Sequence, residues 1–79
     1  MKKLNLLVKW ENISKAIDFF GQACDLRYAR GCDKLGYIYQ DGTVVRQDKK
    51  KAKEFYGKAC DDGLPKGCDK YKILNEQGI

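Results

Sequence analysis

The sequence predicts an all-α fold of antiparallel helix hairpins, an α/α solenoid of two repeats. Three observations carry this: an internal period of 36 residues, apolar side chains at helical spacing in both copies, and a cysteine pair with seven intervening residues that occurs twice. Laying residues 12–43 over 48–79 pairs Ala16 with Ala52, Phe19 with Phe55, Gly21 with Gly57, Ala23 with Ala59, Cys24 with Cys60 and Asp25 with Asp61. The same frame superposes "GCDK" at 31–34 on "GCDK" at 67–70 without a gap.

The elements follow in order. Residues 1–11 align with 37–47 and are expected to form an N-terminal capping segment or the remnant of a preceding repeat, with Leu4, Leu6, Leu7 and Trp10 folded over the first helix pair. Repeat 1 is assigned to residues 12–47. Its first helix is expected to start after an Asn12 cap, with Ile13, Ala16, Ile17, Phe20 and Ala23 on one face. Its partner helix is expected to begin near Gly31 and to carry Cys32, Leu35, Gly36 and Tyr39. Repeat 2 is assigned to residues 48–79. Asp48 caps its first helix, which carries Ala52, Phe55, Tyr56 and Ala59, and a second helix near Gly67 carries Cys68, Tyr71, Ile73 and Leu74. Lys72, Asn75, Glu76 and Gln77 replace Gly36, Tyr39, Gln40 and Asp41, the polar outer face expected of a capping helix. Glycines at 21, 31, 36, 57 and 67 would each cost about 1 kcal/mol inside a helix, so they are expected where two backbones approach or at helix ends.

A chain of 79 residues buries little apolar surface and benefits from a staple. Cys24 and Cys60 fall in the last turn of a first helix, Cys32 and Cys68 in the first turn of its partner. Facing cysteines across each hairpin favour the bridges Cys24–Cys32 and Cys60–Cys68, each contributing about 2 to 3 kcal/mol. Free buried thiols and metal ligation are the alternatives. Zinc is disfavoured because the chain has no histidine and no C-x2-C knuckle.

The features "KAIDFFGQAC", "KAKEFYGKAC" and "RGCDKLGYIYQDG", with the seven-residue cysteine gap, give residues 12–79 a recognisable pattern. The chain resembles the Sel1-like repeat proteins, relatives of the tetratricopeptide family, and most closely the Helicobacter cysteine-rich proteins. The resemblance implies a tetratricopeptide-like stack and protein or peptide partners, in an adaptor, effector or assembly factor. It also raises penicillin binding or weak β-lactamase activity, with a small β-lactam as ligand. The chain departs from the pattern at Val44, where a second loop glycine is usual.

Catalytic chemistry has few candidates. There is one serine, Ser14, and one threonine, Thr43; Ser14 is followed by "KAI" rather than the x-x-K of serine β-lactamases. No catalytic residue, metal ligand or cofactor is assigned. Asp25, Asp33, Asp61 and Asp62 suit turns and helix ends. "DKKKAKEFYGK" interleaves lysines with aromatics, yet the two kinds take opposite sides of a helix, which disfavours nucleic acid. A formal charge of +5 leaves anionic surfaces as a further alternative.

A partner surface remains. Lys15, Asp18, Phe19 and Gln22 form one stripe and Lys51, Glu54, Phe55 and Lys58 its copy, expected on the concave side of the stack, with core packing as the competing role for both phenylalanines. No run approaches the roughly 18 apolar residues of a membrane span. Bridged cysteines predict a periplasmic or secreted setting, reduced ones a cytoplasmic setting. The opening "MKKLNLLVKWEN" is broken by Asn5 and Lys9 and does not read as an export signal.

Overall fold

A computed structural model describes the backbone of residues 2–79 and the side chains of residues 12–79. It contains α1 (Lys2–Asp25), α2 (Ala29–Asp41), α3 (Lys49–Asp61) and α4 (Pro65–Glu76), with no strand among the described residues. Each helix packs on the one before it, and the α2–α3 interface between the two hairpins is the most extensive. The predicted all-α stack of helix hairpins is therefore the observed one.

Two sets of boundaries differ from expectation. Helix α1 runs unbroken from Lys2, so Asn12 lies inside it and caps nothing. Residues 2–11 contain neither glycine nor proline, and an interior asparagine costs at most about 0.7 kcal/mol, less than nucleating a separate helix. The contacts expected of Leu4, Leu6, Leu7 and Trp10 lie outside the described residues. Helices α2 and α4 start two residues before Gly31 and Gly67. Tyr28 and Leu64 take extended N-cap conformations, and Pro65 suits the first helical position because its missing N–H would have had no partner there.

The connectors explain how so tight a reversal is made. The N–H of Arg27 donates to the Cys24 carbonyl and that of Tyr28 to Ala23, both at 2.9 Å. The second copy repeats this with Gly63 to Cys60 at 3.0 Å and Leu64 to Ala59 at 2.9 Å. This is the Schellman pattern, and it places a left-handed residue at position 27 or 63. Gly63 (φ 97°) takes that conformation freely, whereas Arg27 (φ 68°) does so at a cost of about 1 to 2 kcal/mol. At the far end of repeat 1, Gly42 (φ 71°) ends α2 and the Asp48 N–H returns to the Tyr39 carbonyl at 2.9 Å. Asp48 then caps α3 as expected, accepting from the Lys51 N–H at 3.0 Å.

Gly31 and Gly67 sit where the two helices of a hairpin touch. A methyl group on Gly67 would lie 2.7 Å from the Ala59 Cβ and 2.8 Å from both the Cys60 nitrogen and the Tyr56 carbonyl oxygen; on Gly31 it would lie 2.8 Å from the Ala23 Cβ. Backbone atoms cannot step aside, so nothing larger than glycine fits.

Around these contacts gather Cys24, Cys32, Leu35 and Ala59, with Ile17, Phe20, Ala29, Tyr39, Phe55 and Leu64 against them. A second cluster joins Ala52, Tyr56 and Leu74. Ile73, expected on the apolar side of α4, is half exposed at 51%, because Leu74 is the residue that turns inward.

The hairpins interlock through Tyr56. Its ring fills the space over Gly36, where an added Cβ would come within 2.6 Å of Cδ1. Its hydroxyl donates to Gln40 Oε1 at 2.6 Å, and Lys70 Nζ stands 5.2 Å from its centroid while pairing with Asp33 at 3.0 Å. Burial first, then the nearby charges of Asp33 and Tyr37, push the Tyr56 phenol up to about 12. On α4 the positions matching Gly36, Tyr39 and Gln40 are Lys72, Asn75 and Glu76, all exposed.

Two predictions follow from these contacts. Gly67→Ala should lower stability by at least about 2 kcal/mol, whereas Gly21→Ala, which meets nothing within 4 Å, should raise it by about 0.5 to 1 kcal/mol; paired thermal melts decide. Because the folded phenol value is raised, the stability it carries is complete below pH 10 and is lost as the pH climbs toward 12, amounting to no more than about 2 to 3 kcal/mol. Absorbance titration should show one tyrosine ionising late, and Tyr56→Phe should remove that step.

Candidate functional site

Both hairpins are closed by the expected bridges, Cys24–Cys32 with Cα atoms 4.7 Å apart and Cys60–Cys68 at 4.5 Å. The geometry follows from the tight turn, since the Schellman ending brings the last turn of one helix onto the first turn of the next. The two bridges are not equally sheltered. Cys24 is 6% exposed and Cys32 is fully buried, while Cys60 and Cys68 are only partly covered, and Cys60 lines a shallow groove with Gly57, Asp61 and Tyr71.

The eight stripe residues divide in a way the repeat does not foretell. Lys15, Asp18, Phe19 and Gln22 on α1 are all exposed, as are Lys51, Glu54 and Lys58 on α3. Phe19 is 68% exposed and meets Phe20 edge-on with ring centroids 6.2 Å apart. Phe55 is half-buried, stacked on Tyr39 of α2 at 5.8 Å and 11°. Core packing therefore describes Phe55 and not Phe19. The cause is positional: Phe55 has α2 packed beside it, so Tyr39 is there to receive it.

Tyr39 adds an element that the repeat alignment did not include in the stripe. Lys51 Nζ lies 4.8 Å from the Tyr39 centroid and Lys58 Nζ 5.5 Å from that of Phe55, so two lysines stand over a stacked aromatic pair. Tyr39 and Lys51 also border an open groove of about 520 Å³ with Val45, Arg46, Gln47 and Asp48 from the inter-repeat loop. A second groove, about 430 Å³, opens where the two hairpins meet and is lined by Arg30, Asp33, Lys34, Leu64 and Lys66. Its one sequence signal is that Arg30 and Lys66 are 36 residues apart and both basic.

Ser14 is exposed on α1 and borders none of these grooves. Asp25 and Asp61 end α1 and α3, Asp62 caps α3, and Asp33 is held by Lys70. Among the described residues no group of three or more His, Cys, Asp or Glu could hold a metal ion, and no helix is long and apolar enough to cross a membrane.

The profile of the Sel1 repeat matches residues 6–28 and 29–64, together well over half of the chain. The chain belongs to the Sel1 repeat family. The boundary between the two matches falls in the first hairpin turn, and the second match holds α2 and α3, the pair with the most extensive interface. Neither the curated proteins nor the solved structures yield a match. Sel1 repeats are generally protein–protein interaction modules, and an array of packed helices with exposed grooves accords with that work.

The unequal burial of the bridges predicts an order of reduction. Under dilute reductant with a thiol-trapping reagent, mass mapping should find Cys60 and Cys68 modified before Cys24 and Cys32. Each bridge lost should lower stability by about 2.5 kcal/mol on the chain-entropy estimate.

Proposed function

We propose that this Sel1 repeat chain is a small protein-binding module, an adaptor, effector or assembly factor, and that its partner lies along the face shared by α1 and α3. The observation that carries the reading is Phe19, a large aromatic 68% exposed on α1, whereas its neighbour Phe20 is packed into the core. Exposed aromatics flanked by charge are the usual anchors of protein interfaces. Lys15, Asp18 and Gln22 surround Phe19 with both signs of charge, and Lys51, Glu54 and Lys58 repeat that pattern on α3. A mixed rim of this kind favours selection of a partner over bulk attraction.

The two bridges support a setting in which disulfides persist, such as a periplasm or the outside of the cell. They hold both hairpins rigid, so the surface is formed before a partner arrives and less ordering entropy is lost on binding.

Phe19→Ala should weaken capture of the partner by about 2 kcal/mol while leaving the melt within about 0.5 kcal/mol of the parent protein. A photo-cross-linking residue at position 19 should trap a protein, and one at the exposed Glu76, at the far end of α4, should not. Equal trapping at both positions, or trapping of nucleic acid alone, would sink the reading.

A further inference from the structure

The groove at the junction of the hairpins differs in character from the stripe. Three cations border it, Arg30 and Lys34 from α2 and Lys66 from α4, and none of them forms an ion pair among the described residues. The single carboxylate in its wall, Asp33, is already neutralised by Lys70 at 3.0 Å. The first turns of α2 and α4, which carry Arg30 and Lys66, contain no acidic residue to offset them. Leu64 supplies an apolar floor that is continuous with the core. The stripe alternates charges along its length; this groove concentrates one sign around an apolar patch.

We propose that this groove docks an acidic segment of a partner protein, with carboxylates set against Arg30, Lys34 and Lys66 and an apolar side chain resting on Leu64. This deepens the protein-binding reading and rests on it. Two features favour a peptide over a nucleic acid. Three cations fall short of the roughly six to ten phosphate contacts that nucleic-acid binding commonly draws on, and no aromatic side chain lines the groove to stack a base. A leucine floor serves an apolar side chain and has no role against a sugar–phosphate backbone.

The test is an amide-shift titration of isotopically labelled, disulfide-intact protein with three probes: a peptide of alternating Glu and Leu, the same peptide with Gln for Glu, and a short single-stranded RNA. The Glu peptide should move the amides of residues 29–34, 64, 66 and 67, and the Gln peptide should bind at least about tenfold more weakly. Arg30→Glu with Lys66→Glu should weaken the Glu peptide by a similar factor, about tenfold, with an unchanged melt because both side chains are exposed. Lys49→Glu, an equally exposed reversal away from the groove, should change it by no more than about twofold. Shifts confined to α1 and α3, or equal losses from both reversals, would overturn the groove and leave the protein-binding reading standing. Tighter binding of the RNA, with neither peptide bound, would overturn both.

Discussion

The close approach of two helix backbones within each hairpin is the constraint on which the remaining architecture depends. It requires a residue without a side chain at positions 31 and 67, a small one opposite at Ala23 and Ala59, and a turn that reverses the chain within three residues. The Schellman hydrogen bonds meet the last demand and satisfy carbonyls that the ends of α1 and α3 would otherwise leave unpaired. Once the backbones are that near, the cysteines that follow Ala23, Gly31, Ala59 and Gly67 face each other at bridging distance. The bridges thus lock a geometry that glycine and alanine make accessible. They add stability to a chain whose core is small, chiefly by limiting the freedom of the unfolded state.

Contacts between the hairpins have a different basis, since both disulfides lie within a hairpin and none joins one hairpin to the other. A tyrosine ring over a glycine, its hydroxyl on Gln40, and an ion pair from Asp33 to the next repeat's Lys70 fix how α3 and α4 sit against α2. Each is made by one residue from either side and none can form within a single repeat. Helix α4 carries Lys72 where α2 has Gly36, so the socket that receives Tyr56 on α2 has no counterpart there. The two repeats are alike in chain path and unlike in the surfaces they offer.

Those surfaces follow from a division of charge. Lysines on α3 are drawn to aromatic faces, with Lys51 over Tyr39, Lys53 over Tyr71 and Lys58 over Phe55, and Lys70 is held by Asp33. Among the described residues Arg30, Lys34 and Lys66 have no such engagement, and they lie together at the junction. Exposed ion pairs and cation–π contacts each contribute little. Their arrangement nonetheless leaves mixed charge around the aromatics of α1 and α3 and gathers cations of one sign in the groove at the hairpin junction.

Much of this was legible in the chain. The 36-residue period, the two-helix units, the cysteine pairing, the Asp48 cap and the close approach at Gly31 and Gly67 all follow from local rules: helical spacing, turn chemistry and the short gap between cysteines. The start of α1 was not, because Asn12 is a good cap only where the chain before it leaves the helix, and residues 2–11 do not. The starts of α2 and α4 were placed two residues late because the glycines mark contact between helices and not their ends. Of the candidate surface, the repeat supplied the α1 and α3 stripe but could not tell Phe19 from Phe55, whose sequence surroundings are nearly the same. Only packing across hairpins separates them, because Tyr39 lies beside Phe55. The basic groove likewise joins residues more than thirty positions apart, and their proximity comes from the stacking of one repeat on the next. The sequence by itself determined the helices, their hairpins and their staples, because those depend on neighbours along the chain. The tertiary structure decided which aromatic is exposed and which cations gather, because those depend on neighbours across it.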